Sequence, residues 1–246
     1  MDSDYSAADK AHRGFLDECE KEDRRAFVLK VYGILTTQLV VTFGSVAVVK
    51  TTWMNDSLQD PSNGVAQGIY IAALVVALLI QCCVGCFHRL ARKSPTNFIL
   101  LAIFTLCYTY VISFVSTLYD EGTVLAASLF TAVITITLSL YAARTESDFT
   151  ELCGPFMCFG LLLMLLVQLV MSIISIWIFT FSSVWVPFAA GACVIFYGLF
   201  LIIDTQLIVG GRRYELTIDD YVIGAMILYV DIIMIFLELL RLFGGK

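Results

Sequence analysis

The sequence is short of charge and almost without histidine. Charged residues make up 15% of its 246 positions, and His12 and His88 are the only histidines. Soluble domains carry about 25% charged and about 45–50% apolar residues. Here the apolar share is 59%, and a soluble fold of this length would have to expose much of it. Lipid removes that difficulty, so length and composition point to one membrane domain. Two histidines give no histidine-rich metal hydrolase site. The net charge of −6 gives no electrostatic footprint for nucleic acid. Internal repeats, low-complexity stretches and a soluble domain are also lacking. The first residues hold no apolar core followed by a small-residue cleavage site, so no cleaved signal peptide is expected.

The eight cysteines lack the pattern of a disulfide framework, since all but Cys19 lie within or at the ends of apolar segments. Cys82, Cys83, Cys86 and His88 have a superficial zinc spacing. A structural zinc site needs four ligands in one closed cluster, and three adjacent helical cysteines with one histidine fit that poorly. They read as small polarizable packing residues, in a place near the membrane surface that also suits palmitoylation.

What is present is a series of long apolar runs. A spanning helix needs about 20 mainly apolar residues, and lipid demands a backbone satisfied within each segment. The expected spans are 27–50, 68–87, 97–119, 122–143, 155–179, 184–209 and 220–243. Asp120-Glu121-Gly122 separates the third from the fourth, and 180–183 separates the fifth from the sixth. Pro187 suits the first turn of the sixth. Residues 1–26 are expected to form a charged, solvated, flexible tail, ahead of a transmembrane domain over 27–246.

Lys and Arg favour the cytosolic side of a membrane. They cluster in the tail (Lys10, Arg13, Lys21, Arg24, Arg25), in the second loop (Arg89, Arg92, Lys93), at Arg144, and at Arg212 and Arg213. The intervening loops have none beyond Lys50 at one edge. This predicts a cytosolic N-terminus. With seven spans the C-terminus lies on the opposite side, where Arg241 and Lys246 violate the rule. A last segment that dips in and returns would put it in the cytosol instead.

Ionisable residues inside spans are costly, by about 2.5–3.5 kcal/mol on insertion scales, which makes them functional candidates. Lys30 lies close enough to the cytosolic surface to snorkel. Glu238 and Arg241, three apart, suit a local ion pair. Asp204 and Asp231 are different, because neither has a base within a helical turn. They lie about 8 Å and 16 Å from the cytosolic side at about 1.5 Å per residue, on sequential helices joined by a short loop. Two carboxyls in low dielectric do not both ionise comfortably, and such a pair titrates as a unit. Sharing a proton, they bridge two helices. Without it they repel, or accept a cation such as calcium, with Thr205, Gln206 and Tyr229 as nearby oxygen-bearing groups. The plainer alternative is that each aspartate hydrogen-bonds as helix–helix glue.

The stretches RRAFVLKVYGILTTQL at 24–39, RKSPTNFILLAIFTLCYTY at 92–110, SDFTELCG at 147–154 and DTQLIVGGRRYELTIDDYVIGAMILYVDIIMIFLELLRLFG at 204–244 carry a resemblance. In combination they resemble a Lifeguard-type member of the transmembrane Bax-inhibitor-motif family, from about residue 24 to the end. The resemblance implies an all-α integral membrane fold, a seven-helix bundle whose last helix is central and wrapped by the other six. It implies calcium leak from an intracellular store, endoplasmic reticulum or Golgi, and protection against cell death, with cell-death regulatory membrane proteins as partners. Plasma membrane and other calcium stores stay open. Bacterial relatives are proposed to gate calcium through a pH-sensing aspartate pair, which corresponds here to Asp204 and Asp231. That pair is linked there with an arginine latch of the second helix, for which Arg89 and Arg92 are the candidates here. TIDDY at 217–221 departs from the SPEEY-like stretch usual in Lifeguard proteins, keeping the acids and losing the proline. Glu238 is an added carboxylate on the same face as Asp231, placed to extend an ion path.

Three functions compete. The first is a pH-sensitive calcium leak channel or transporter with no cofactor, taking calcium only as transported or transiently bound ion at Asp204 and Asp231. The second is a non-conducting scaffold acting through helix contacts. The third is an intramembrane aspartyl protease. Such proteases place their aspartates in YD and GxGD settings, whereas here Ile203 precedes Asp204 and Val230 precedes Asp231, so no enzyme is expected.

Overall fold

The computed structural model describes residues 2–59, 64–152, 166, 170 and 185–244. Its helices are α1 (Asp2–Thr51), α2 (Met54–Gln59), α3 (Gly64–Cys86), α4 (His88–Arg92), α5 (Thr96–Thr117), α6 (Glu121–Arg144), α7 (Trp185–Val209) and α8 (Tyr221–Gly244). Two short 3-10 turns, Thr150–Leu152 and Ile218–Asp220, lie in the connections. The described residues contain no strand. Six helices, α1, α3 and α5 to α8, are long and apolar enough to cross a membrane, and the chain is a multi-pass membrane protein. The expected fifth span, 155–179, lies outside the described residues.

The first helix differs from expectation. It does not start at residue 27 but runs unbroken from Asp2 to Thr51, so the charged segment continues the first span rather than meeting it at a break. Ala, Glu, Lys and Arg favour helix, and no proline or glycine interrupts 2–32 except Gly14. The last helix is one continuous element of 24 residues, about 36 Å at the helical rise. A segment that dips in and returns is not what is seen. Its end packs at the end of the bundle opposite the tail, where Phe243 meets Phe130 with ring centroids 5.3 Å apart.

Local chemistry sets the helix ends. Asp120 caps α6, accepting from the Thr123 amide at 2.8 Å and the Thr123 hydroxyl at 2.7 Å, as an N-cap acid should. The hydroxyl bond, foremost, holds the Asp120 carboxyl below its usual range. Between α7 and α8 the chain reverses at Gly210 and Gly211, with φ of 77° and 72°. That is the left-handed region glycine enters without strain. Gly210 has a second constraint, since a Cβ there would lie 2.7 Å from both Arg24 Nε and Glu215 Oε2.

Burial identifies the core element. In the most apolar window of each span, 94% of residues are buried for the last helix and 17–44% for the other spans. α8 packs closely on α7 and is also contacted by α1, α5 and α6. Gly224 permits one of these approaches, with Val31 of α1 and Ile208 of α7 about its Cα. A ladder of side-chain hydrogen bonds joins α1 to α5. Gln38 donates to Thr105 at 2.9 Å, Thr42 pairs with Thr109 at 3.0 Å, and Ser45 with Ser113 at 3.2 Å. Polar rungs at this spacing fix the register of two helices where apolar packing alone gives lipid little reason to yield.

Candidate functional site

Residues 201–208 of α7 and 222–236 of α8 are buried on every face. A helix apolar and buried all round lies in the interior, and each of these segments carries one carboxyl there. Asp204 is 6% exposed and Asp231 is fully buried. Asp204 lies five residues before the end of α7 and Asp231 ten after the start of α8, depths of about 8 Å and 15 Å. Despite that difference the two carboxyls are electrostatic neighbours.

Among the described residues, no donor reaches either oxygen of Asp231. Its charged neighbour is another carboxyl, Asp204. An ionised carboxylate only accepts hydrogen bonds, and a protonated one donates one. Two such groups can bond to each other only with one proton between them. The hydroxyl of Thr205, beside Asp204, is also buried with no partner among the described residues.

The other candidates are placed differently. Tyr229 directs its hydroxyl to Thr42 at 2.8 Å, joining α8 to the ladder between α1 and α5. Gln206 faces the connection after α6. Its amide nitrogen donates to Ser147 O at 2.9 Å, and its Oε1 accepts from the Phe149 amide at 2.9 Å. Both groups serve as struts. Glu238 is buried and accepts from Arg241 at 3.2 Å, so its charge is met locally. Cys82, Cys83 and Cys86 carry free thiols.

Arg92 is not brought to the aspartate pair. It grips Asp220, with Nε to Oδ1 at 2.7 Å and Nη2 to Oδ2 at 2.8 Å, and also reaches the Thr217 hydroxyl at 2.9 Å. This two-pronged bond raises the Arg92 pKa further above its ordinary value. Arg89, on the same short helix, is exposed. Asp220 is buried at the start of α8 and is the residue that motif reasoning passed over. A signal was available: Thr217 and Asp220 stand three apart just before an apolar run, the spacing of a helix-start box, and Thr217 does donate to Asp220.

The same end of the bundle is laced by further contacts. Arg24 pairs with Glu215 at 2.6 Å and donates to Leu216 O at 2.8 Å. Arg213 pairs with Glu151 at 3.0 Å. Asp148 accepts from the Thr150 hydroxyl and amide and from the Arg213 amide. The Thr150 hydroxyl is the chief reason its carboxyl titrates below the usual range.

Comparison with known proteins finds similarity over nearly the whole chain. Residues 24–246 match the family Bax1-I, described as inhibitor of apoptosis-promoting Bax1. Protein lifeguard 3 of Mus musculus is 32% identical across 99% of this chain and 77% of that protein. Protein lifeguard 3 of Homo sapiens is 31% identical across 92% of this chain and 71% of its own length. Protein LIFEGUARD 2 of Arabidopsis thaliana is 33% identical across 90% of this chain and 88% of that protein.

Proposed function

The chain belongs to the Bax1-I family of inhibitors of apoptosis-promoting Bax1, and we propose that it is a pH-sensitive calcium leak channel of an intracellular membrane. In this reading seven helices form the bundle, with α8 central and wrapped by the other six, and the N-terminus faces the cytosol. Calcium released slowly from the endoplasmic reticulum or Golgi lowers the store available to cell-death signals. Inhibition of apoptosis follows from that leak and from contacts with cell-death regulatory membrane proteins.

The observation that carries the reading is Asp231, fully buried with neither carboxyl oxygen hydrogen-bonded among the described residues. Asp204 and Asp231 share one proton, and the shared proton holds α7 against α8. Its loss leaves two buried carboxylates that repel. The helices then part, and the oxygens become ligands for a hard cation. Thr205 stands beside them as a neutral oxygen donor. No step in this reading makes or breaks a covalent bond in a substrate, so the function is transport rather than catalysis.

The test is calcium flux into liposomes containing the purified protein, measured against pH. Flux should rise as the pair loses its proton. Asp204→Asn and Asp231→Asn should each flatten the pH response, because an amide donates the bridging hydrogen at every pH. A pH response unchanged in both variants overturns the mechanism. Cell protection retained by variants that pass no calcium would favour a non-conducting scaffold instead.

A further inference from the structure

α1 and α6 each pack on α8 rather than on each other, and the space between them is a groove of about 710 Å³. Its walls are apolar side chains such as Phe43 and Val46 of α1 and Val124 and Ile136 of α6, and its floor is Ile232 of α8. Two of the three hydroxyls along the α6 wall are spent on their own helix: Ser128 donates to Val124 O and Thr131 to Ala127 O, while the buried Thr135 hydroxyl has no partner among the described residues. The groove opens sideways, past Val40 and Leu125, which are 67% and 62% exposed, within two membrane-spanning segments.

One end of the groove is charged. Lys50 and Glu121 line it there, at the end of the bundle opposite the tail. The Lys50 ammonium donates to Tyr119 O at 2.7 Å and Asn55 Oδ1 at 3.5 Å. An ammonium has three donors, so one remains. Glu121 is exposed. From Lys50 back to Leu39 the α1 wall runs about 16 Å at the helical rise, close to half of the roughly 30 Å hydrocarbon thickness. The groove is therefore one leaflet deep, mainly apolar along its length, with a positive and a negative group at its interfacial end.

We propose that this groove is a binding site for a zwitterionic phospholipid. One acyl chain lies between α1 and α6 with its end against Ile232. The phosphate sits at Lys50 and the head ammonium at Glu121. Depth matches an acyl chain of one leaflet, and the opposite charges at the mouth match the two charges of the headgroup. The site is independent of any ion conduction by the bundle.

Reconstitution in phosphatidylcholine vesicles carrying a trace of phosphatidylcholine with a diazirine on its acyl tail tests this. Adducts mapped by mass spectrometry should concentrate several-fold on 39–47 and 124–136 relative to the lipid-exposed face of α3 at Ile69, Ile71 and Val75. Ala132→Trp and, separately, Ala47→Trp fill the groove and should remove that excess while leaving the α3 adducts. The pair Lys50→Gln and Glu121→Gln should weaken it. Even labelling of all spans, or an excess that survives both tryptophans, overturns the proposal. A bifunctional photo-cross-linker that joins the groove peptides of two copies of the chain also overturns it, showing a protein interface in its place.

Discussion

Arg92 shows what a single residue can and cannot disclose from sequence. The family resemblance offered it, beside Arg89, as a latch for the aspartate pair, and the structure bonds it elsewhere. The partner is Asp220, 128 residues away, at the entry to the most buried helix rather than in its middle. That pairing depends on how α4 lies against the start of α8, which no local pattern encodes. Gln206 illustrates the same limit: a buried amide beside a buried aspartate suits an ion path, but its hydrogen bonds go to the connection after α6. Asp204 and Asp231 stood out as candidates because a carboxylate in an apolar run is rare, and their burial was legible in the same way. The Arg92 clamp is bidentate and half-buried, so its worth should fall between that of exposed pairs and that of hydrogen bonds to charged groups, about 1–2 kcal/mol. A double-mutant cycle with Arg92→Ala and Asp220→Ala, read by thermal unfolding in detergent, should return a coupling of that size. The single Arg92→Ala change should cost more than Asp220→Ala, because it leaves the buried member of the pair without its guanidinium. A coupling of zero would reduce the contact to a surface pair.

At the scale of elements, length and apolarity carried the most information. Five expected spans match α3, α5, α6, α7 and α8 within a few residues at each end, because the apolar runs are long and their breaks are chemical: Asp120 as a cap, Gly210 and Gly211 as a reversal. The exception is α1, whose charged first half looked like tail because solvated sequences and solvated helices have the same composition. The connection at 145–152 was equally opaque, being polar and short, yet it is tied down by Asp148. Its carboxyl titrates below the usual carboxylate range owing first to the Thr150 hydroxyl. A depressed folded value means that the tether is fully present above the unfolded value of about 3.9 and is lost as pH falls through the folded one. Amide exchange at Thr150 and Arg213, which both donate to Asp148, should therefore stay protected near neutrality. It should show an extra loss of protection only below about pH 4, by that same reference. Asp148→Asn should give the unprotected behaviour at neutral pH. Protection insensitive to both changes would mean that Gln206 alone orders the segment.

For the whole molecule, the distribution of charge and the distribution of contacts coincide. Arg24, Arg92, Arg212 and Arg213 lie at the end of the bundle that holds the tail-side connections, and each is engaged there, Arg212 through the carbonyls of Thr145 and Glu146. At the opposite end Lys50 is bonded to Tyr119 and Arg241 to Glu238. Arg241 looked like a violation of the charge rule in sequence, but a base paired three residues away with an acid is locally neutral and exerts little topological pull. The positive-inside rule then marks the tail-side end of the bundle, with Lys50 its exception among the described residues. It predicts that the tail and the connections 87–95, 145–152 and 210–220 face the cytosol, and that 52–63, 118–120 and the end of α8 face the other way. An N-glycosylation acceptor inserted into 52–63, or appended after Gly244, should be modified in a microsomal translation system, and one inserted into 87–95 or 210–220 should not. The appended site discriminates most sharply. Its modification requires an odd number of crossings and places Glu238 on the side away from the cytosol. An unmodified acceptor there, beside a modified one in 52–63, would require an even number and would remove the seven-span bundle on which the proposed gate depends.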